Sequence, residues 1–259
     1  MNILISNDDG INSDGIKALA NILSKKHNVY VVAPDSQKSA MSQSLTIRDK
    51  IAVKTIKKEE INAKKIITTS GTPADCVKLA ITTLLKKDEL PDVVISGINH
   101  GPNLGHDVCY SGTVAAALEA ARLGYKAIAV SIVAKEWNYN DFVYPAEFVS
   151  YLLENYPDTK VGTVLNINIP KVDKSEIKGL SYTHLAGRVF TSEYAKVSEN
   201  DKVEEYVLAG VPAYDSQSDL TDIQAVRQCK ISITPLNFNM TDNDTLNNLT
   251  KTSLVSCFL

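Results

Sequence analysis

The stretch that decides the fold is Ile3-Leu4-Ile5-Ser6-Asn7-Asp8-Asp9-Gly10, in which a short apolar run is followed by a polar turn with two adjacent acids. Short apolar runs that end at polar turns are typical of strands buried on both faces of a sheet. Apolar residues then recur at helix spacing from Ile16 to Leu23, with Ser13 or Asp14 as the predicted N-cap. A strand, a turn and a helix in this order indicate the first unit of an alternating α/β fold.

The alternation of strands and helices continues over the first two thirds of the chain. Further strands are predicted at 29–33, 93–95, 128–130 and 164–169, and further helices at 72–85, 113–123 and 145–156. The helix at 72–85 has the clearest start, because Thr72 is a capping residue and Pro73 takes the first helical position. We therefore predict an α/β protein, a Rossmann-like three-layer sandwich with a mostly parallel sheet.

The pattern changes at about residue 174. Segments of β character at 180–185, 189–194 and 203–208 predict hairpins that form an arm, followed by a short helix at 218–227 and a strand at 231–234 ended by Pro235. We expect a Rossmann-like core over residues 1–173. The hairpin arm and C-terminal elements then occupy residues 174–259, and the strand Ile231–Leu236 returns to the core.

Composition and charge exclude several classes of protein. The 259 residues include 27 Lys and Arg against 30 Asp and Glu, so the net charge of −3 argues against a generally basic nucleic-acid binder. Four cysteines without CxxC spacing indicate reduced thiols rather than a disulfide scaffold or a zinc site. Without a basic N-terminal region or an apolar run of ~18–20 residues, we expect a cytoplasmic protein with no signal peptide and no membrane span.

The acid pair Asp8–Asp9 is the first candidate site. It directly follows the first predicted strand, and ligands of parallel sheets bind beyond the carboxyl ends of the strands. Two adjacent carboxylates raise each other's pKa unless a cation lies beside them, and carboxylate oxygens suit Mg²⁺ or Mn²⁺. The alternative is a polar turn in which an Asp caps the following helix.

Three more polar segments are expected near the same edge of the sheet. Residues 34–46 carry four serines beside Lys38, a composition that suits a metal or phosphate site but is also common in ordinary loops. Residues 96–105 contain three glycines, two asparagines and His100. The run Ser111-Gly112-Thr113 opens an Ala-rich helix and offers N–H groups and hydroxyls to an anion, with plain helix capping as the alternative. It is not a P-loop, because the lysine of that motif is absent.

A metal beside an anion-binding helix start predicts hydrolysis of a phosphate ester. Two nucleophiles stay open, namely water and Asp8 itself, which would form an aspartyl-phosphate. A signalling receiver domain is disfavoured, because Ser96 and Gly97 follow the third strand where that domain needs an aspartate. A non-catalytic nucleotide sensor is the other alternative, and a turnover assay separates it from an enzyme.

These motifs closely resemble the SurE family, the survival-protein nucleotidases. The resemblance covers nearly the whole chain, at residues 3–10, 33–35 with Ser39, 44–46, 70–77, 96–99, 101–105, 110–116, 221–222 and 232–236. It implies one divalent cation per subunit, Mg²⁺, Mn²⁺ or similar, with four ligands: Asp8, Asp9, Ser39 and Asn99.

The resemblance further implies that phosphate binds to Asn103, Ser111, Gly112 and Thr113. It implies a metal-dependent phosphatase that hydrolyses nucleoside monophosphates, as a 5′-nucleotidase and in some members also as a 3′-nucleotidase or exopolyphosphatase. The expected assembly is a homodimer or homotetramer joined through the arm, with no membrane or nucleic-acid polymer as a partner.

The chain departs from the family pattern in three segments. Residues 36–38 lack an arginine that is often present, and Ala40 stands where glycine is usual, which points to a change in base or ribose preference. Residues 229–230 are Cys-Lys instead of Gly-Tyr, in a structural segment. The loop histidines His100 and His106 match no position that carries a role over from the family.

Overall fold

The computed structural model describes residues 1–187, 193–199, 203–210 and 220–250. The strands and helices follow in chain order: β1 (Asn2–Ser6), α1 (Asp14–Leu23), β2 (Asn28–Pro34), β3 (Val53–Ile56), β4 (Lys65–Thr69), α2 (Pro73–Leu79), β5 (Val93–His100), α3 (Gly112–Arg122), β6 (Lys126–Val133), α4 (Val143–Glu154), β7 (Val164–Pro170), β8 (Leu180–Tyr182), β9 (Tyr194–Glu199), β10 (Glu204–Leu208), α5 (Asp222–Arg227), β11 (Ile231–Leu236) and α6 (Asn243–Leu249).

Nine of the described strands form one sheet in the order β3-β4-β2-β1-β5-β6-β7-β11-β8, and β9 and β10 form a separate antiparallel hairpin. Neighbouring strands run parallel from β4 through β7. At the margins, β3 runs antiparallel to β4 and β11 runs antiparallel to β7. The predicted α/β class, with a mostly parallel sheet and an additional hairpin, is confirmed.

The central strands send alternate side chains into two separate apolar layers. Ile3 and Ile5 pack with residues of α1 and α4 on one face of the sheet, whereas Leu4 packs with residues of α2 and α3 on the other face. All three side chains are fully buried. Two-sided burial is why these strands appear in the sequence as continuous apolar runs rather than as an alternating pattern.

The start of α2 matches the prediction. The Thr72 hydroxyl oxygen accepts the Asp75 N–H at 3.1 Å, and an Asp75 carboxylate oxygen accepts the Thr72 N–H at 2.9 Å. This capping box satisfies two N–H groups that lack partners within the helix. The α-helical part ends at Leu79, and a π-helical turn at Ala80–Leu84 completes the predicted helix.

The third predicted strand is longer than expected. The glycine loop was predicted to begin at Ser96, but β5 continues to His100, with a shift of register against β6 between Ser96 and Asn99. Gly97 has a φ of +135°, and a Cβ there would lie 2.4 Å from the carbonyl oxygen of Val130. Only glycine therefore fits at this irregularity of the strand.

Several elements differ from their predicted bounds or have no predicted counterpart. The strands β3 and β4 and the helix α6 were not predicted, and β4 has only Ile66 and Ile67 between lysine and threonine neighbours. Pro235 lies within β11 instead of ending it.

Part of the predicted arm cannot be compared, since 189–192 and 218–219 of the predicted elements lie outside the described residues. The strand β11 lies in the main sheet between β7 and β8. The domain boundary at residue 173 stays a prediction. Among the described helices, none combines the length and apolar character needed to cross a membrane.

Candidate active site

A cavity of about 220 Å³ opens at the carboxyl ends of β1 and β5, where the polar loops meet. Its lining includes residues from each segment that the sequence analysis singled out near this edge. The lining residues are Asp8, Asp9, Gln37, Ser39, Ala40, Asn99, His100, Asn103, Asp107, Tyr110 and Ser111. The expected convergence of these loops is thus visible in the structure.

Asp8 is 6% exposed and lies against the first turn of α3. Its Oδ1 accepts a hydrogen bond from the Thr113 hydroxyl, and its main-chain carbonyl accepts one from the Lys38 N–H at 2.7 Å. Burial and, to a smaller extent, the charge of Asp9 raise the pKa of Asp8 to about 6, against the lowering effect of the hydrogen bond from Thr113. The carboxylate is therefore held in place but only partly relieved of its desolvation cost.

Asp9 is held by the end of β5. Its Oδ2 accepts the main-chain N–H of His100 at 3.0 Å, and its Oδ1 lies 3.7 Å from Nδ1 of the same residue. Burial raises the pKa of Asp9 to about 6, against the lowering effect of the His100 N–H. The His100 ring packs against Trp137 and Phe142, with centroid distances of 4.8 and 5.1 Å. His100 thus forms a wall of the cavity, whereas His106 is exposed and is not part of the lining.

The loop after β2 carries Ser39 to the cavity. The Ser39 hydroxyl accepts a hydrogen bond from the Gln37 amide at 2.8 Å. Ala40 has a φ of +55°, in the left-handed region that favours glycine, so a glycine would adopt this backbone conformation with less strain. Ser42 ties the loop to the approach of α3, because its N–H donates to the Tyr110 carbonyl at 3.1 Å and its hydroxyl to the Cys109 carbonyl at 2.7 Å.

Asn99 lies at the end of β5 and donates its amide nitrogen to the Gly101 carbonyl at 2.8 Å. This bond leaves the amide oxygen as the atom that can bind a cation. The structure therefore brings the four predicted ligands, Asp8, Asp9, Ser39 and Asn99, to one cavity.

The hydroxyl groups at the start of α3 take part in hydrogen bonds within the chain. Ser111 caps the helix by accepting the Val114 N–H at 3.0 Å, and Thr113 is fully buried with both its hydroxyl and its N–H directed to Asp8. A Cβ on Gly112 would lie 2.8 Å from Cβ and 3.0 Å from Oδ2 of Asp8. The close approach that requires glycine is thus the approach of Asp8, and Ser111 is the member of this run that lines the cavity.

Asn103 is enclosed by the ends of β6 and β7. Its main-chain N–H donates to Asn168 Oδ1 at 2.8 Å, and its carbonyl accepts from the amide nitrogens of Asn166 and Asn168, both at 2.9 Å. Its own amide nitrogen donates to the Ser131 hydroxyl at 2.8 Å. Asn166, Asn168 and Ser131 are all fully buried, so Asn103 reaches the cavity from a rigid support.

These supporting residues were missed in the sequence. A usable signal exists for two of them, because Asn166 and Asn168 interrupt the apolar strand 164–169 at alternate positions and therefore share one face. Two amides on one face of a buried strand need partners, which predicts a polar contact at that face. No comparable local signal exists for Ser131.

The donor set of the cavity fits a hard divalent cation. Two buried carboxylates with raised pKa values, a hydroxyl and an amide oxygen are the oxygen ligands that Mg²⁺ and Mn²⁺ prefer. The described residues contain no group of three or more His, Cys, Asp or Glu side chains arranged as a metal site, so any cation here would use ligands beyond the two acids.

Comparison with known proteins gives consistent matches over almost the full chain. A family model described as "Survival protein SurE" matches residues 3–192. The "5′-nucleotidase SurE" of Kosmotoga olearia is 42% identical over 246 residues, covering 94% of this chain and 95% of the relative. The protein of the same name from Natranaerobius thermophilus is 37% identical over 257 residues, covering 96% and 97%.

A solved structure matches as well. The crystal structure of the SurE protein from Aquifex aeolicus aligns with a TM-score of 0.81 at 33% identity, covering 96% of this chain and 98% of that one.

Proposed function

The chain belongs to the SurE family, and we propose on that basis that it is a metal-dependent 5′-nucleotidase whose reaction takes place in the Asp8–Asp9 cavity. It hydrolyses nucleoside monophosphates to nucleoside and phosphate. One observation carries this assignment: two buried carboxylates at the carboxyl end of β1 share a cavity with the hydroxyl and amide groups of Ser39, Asn99, Asn103 and Ser111.

The cation is proposed to be Mg²⁺ or Mn²⁺, held by Asp8, Asp9, Ser39 and Asn99. When bound, such an ion would polarise a phosphoryl oxygen, which makes phosphorus more electrophilic, and would acidify water, which supplies the nucleophile. The chain holds its two acids before any ion arrives, through the bonds from Thr113 and His100. Prior placement of the ligands lowers the reorganisation needed at the moment of reaction.

The phosphate is proposed to lie between Asn103 and the start of α3 at Ser111 and Gly112. Ser111 and Asn103 both line the cavity, and the positive end of the α3 dipole favours an anion within the first turn. Thr113 contributes to the same site by holding Asp8. Donors placed here stabilise the phosphoryl oxygens as their charge redistributes during transfer.

The surroundings of Asp8 favour water over Asp8 as the nucleophile. One carboxylate oxygen accepts the Thr113 hydroxyl, and the other lies 3.0 Å from where a Cβ of Gly112 would be. Attack by Asp8 on phosphorus needs a carboxylate that is free to move towards the phosphoryl group, whereas a carboxylate held against α3 at the cavity wall suits a fixed ligand. We therefore propose hydrolysis by water, with Asp8 as a ligand and orienting group.

The decisive experiment measures release of phosphate from a nucleoside 5′-monophosphate with Mn²⁺, with Mg²⁺ and with excess EDTA. We expect turnover with the metals, none in EDTA, and a loss of ~10²-fold or more in Asp8→Asn and Asp9→Asn, since several kcal/mol of charge stabilisation depend on the ligands. Asp92→Asn is the matched control, because Asp92 accepts the Asn2 N–H at 2.8 Å near the opposite edge of the sheet.

Full activity of both site variants in EDTA would contradict the assignment. Tight nucleotide binding without turnover would instead favour the nucleotide sensor. Activity on 3′-monophosphates or short polyphosphate, and a cytoplasmic location, stay predictions from the family resemblance.

The hairpin of β9 and β10 is proposed to join copies of the chain into a homodimer or homotetramer. Exposed apolar side chains on both strands support this proposal, including Tyr194, Val197 and Leu208. A two-stranded hairpin on its own is at best marginally stable in water, so it needs a surface to pack against.

A further inference from the structure

The loop at residues 101–105, which carries Asn103 and is called the site loop below, is attached at its C-terminal end to a distant part of the chain. Gly105 donates its N–H to Oδ2 of Asp222 at 2.7 Å, although the two residues are 117 positions apart. Asp222 is fully buried at the start of α5 and does not line the active-site cavity. Its carboxylate therefore acts on the site loop from behind.

The other oxygen of the same carboxylate binds the base of the arm. Oδ1 of Asp222 accepts the N–H of Ala186 at 3.0 Å and the N–H of Ile223 at 2.8 Å. The arm segment is the part of the chain between residues 184 and 222, and its two ends meet at this carboxylate. His184 donates its N–H to the Leu220 carbonyl at 3.1 Å, and its own carbonyl accepts the Asp222 N–H at the same distance. One buried carboxylate thus joins the site loop to both ends of the arm segment.

Apolar contacts connect the same segments as these hydrogen bonds. Leu104, Ala186 and Ile223 form a small buried cluster of their own, separate from the two layers of the main core. The cluster joins one residue of the site loop, one at the base of the arm and one of α5. The hydrogen bonds and the packing therefore hold the same three segments together by independent means.

The site loop is in this way fixed at two points. Asn103 is held by Asn168 and its neighbours from β7, and Gly105, two residues further on, is held by Asp222. With both points fixed, the main chain between them cannot rotate without breaking one of two buried hydrogen bonds, which is costly because the freed polar groups lie away from water.

We propose that Asp222 is a positioning residue for the hydrolysis, because it fixes Gly105 and so keeps Asn103 directed at the phosphate. The inference rests on the proposed function, in which Asn103 binds the phosphate. As a consequence, the same carboxylate holds the arm segment and the loop of the reaction centre. A displacement at the base of the arm would therefore alter the position of Asn103, which is only two residues from Gly105.

The substitution Asp222→Asn separates the two halves of this anchor. A carboxylate accepts all three N–H groups, whereas an asparagine side chain has one oxygen and one NH₂ group. The oxygen is expected on the side of Ala186 and Ile223, where it accepts two bonds, so the NH₂ group then faces the N–H of Gly105. The variant should therefore lose the bond to the site loop and keep the bonds at the arm.

The test compares Asp222→Asn with the wild type and with Glu119→Gln. Glu119 is a matched control, as an equally buried acid of α3 whose side chain binds Arg122 and Lys78 outside the cavity. We expect kcat of Asp222→Asn to fall by ~10–100-fold, with KM and the Kd for Mn²⁺ changed less than ~3-fold, as for a loss felt mainly in the transition state. Glu119→Gln should lower the melting temperature and leave kcat within ~2-fold.

Amide hydrogen exchange provides a readout that needs no substrate. Gly105 should exchange at least ~10-fold faster in Asp222→Asn than in the wild type, while Ala186 stays within ~3-fold. Should Asp222→Asn fail to fold, Leu104→Ala loosens the same loop through the apolar cluster, and the same split between kcat and metal affinity is expected.

Three results would overturn the inference: kcat of Asp222→Asn within ~2-fold of the wild type, equal exchange of Gly105 in both proteins, or a parallel fall of kcat and Mn²⁺ affinity. A wild type without nucleotidase turnover contradicts the proposed function instead. The exchange measurement then still tests the bond between Asp222 and the loop.

Discussion

Asp8 and Asp9 are charged at neutral pH at a cost to folding. Burial raises the pKa of both from 3.8 to about 6 in the metal-free protein, so the folded state binds their protons more tightly than the unfolded state does. Their contribution to stability is unfavourable above about pH 6 and the penalty disappears as the pH falls from 6 towards 4. A bound cation reverses the balance, because it stabilises only the folded protein.

Thermal unfolding with excess EDTA tests this balance. At about pH 7.5, Asp9→Asn should be more stable than the wild type by about 1–3 kcal/mol, which corresponds to a rise in Tm of roughly 2–4 °C per kcal/mol. The difference should shrink between pH 6 and pH 4 and change sign in saturating Mn²⁺. A difference that stays constant with pH would mean that the carboxylate is not desolvated as the structure indicates.

Gly112 tests whether the start of α3 serves Asp8 or the phosphate directly. Because a Cβ at this position would lie 2.8 Å from Cβ of Asp8, Gly112→Ala should displace the carboxylate. We expect turnover and Mn²⁺ affinity to fall together, each by ~10-fold or more, measured by phosphate release and by metal titration.

The matched control for Gly112→Ala is Gly124→Ala, just beyond the other end of α3. A Cβ on Gly124 meets nothing within 4 Å, but its φ of +90° makes alanine strained there. This variant should lose about 1 kcal/mol of stability and keep its metal affinity. Unchanged metal affinity in Gly112→Ala, with weaker inhibition by inorganic phosphate, would show that Gly112 acts on the phosphate alone and not through Asp8.

At the scale of the elements, the sequence predicts the start of a helix more reliably than the end of a strand. The helix α2 begins where Thr72 and Pro73 predict it, because a capping box and a proline act on neighbouring residues only. The predicted end of β5 was wrong, because Gly97 allows an irregularity after which the strand continues to pair with β6 beyond the predicted start of the loop. Glycine signals a special backbone conformation without specifying which one.

The margins of the sheet were also poorly predicted. β4 contributes only two apolar residues, Ile66 and Ile67, and it forms because it pairs in parallel with β2. β3 is an edge strand with mostly exposed side chains, and it forms by antiparallel pairing with β4. Strands of this kind depend on the neighbour that is already in place, so their own residues carry little signal.

At the scale of the whole molecule, the hairpin of β9 and β10 bears on the assembly. Tyr194 and Leu208 lie directly opposite each other across the hairpin and are 70% and 67% exposed. We expect light scattering at micromolar concentration to show a dimer or tetramer, and Leu208→Glu to shift it towards the monomer, since burial of an apolar side chain of this size contributes about 1.5–3 kcal/mol.

The control for the hairpin variant is Val161→Glu, because Val161 is 87% exposed and precedes β7 outside the hairpin. It should leave the assembly unchanged. A wild-type protein that is monomeric under these conditions would contradict the proposed role of the arm.

The sequence by itself determined the alternating α/β elements of the core and the place of Asp8 and Asp9, because apolar runs, caps and prolines act over a few residues and parallel strands end at one edge. Only the tertiary structure decided that Thr113 binds Asp8, that Asn168 holds Asn103 and that Asp222 holds Gly105. These partners are 105, 65 and 117 positions apart. Local patterns of apolar and polar residues contain no information on pairs so distant, which form only when the sheet brings the ends of its strands together.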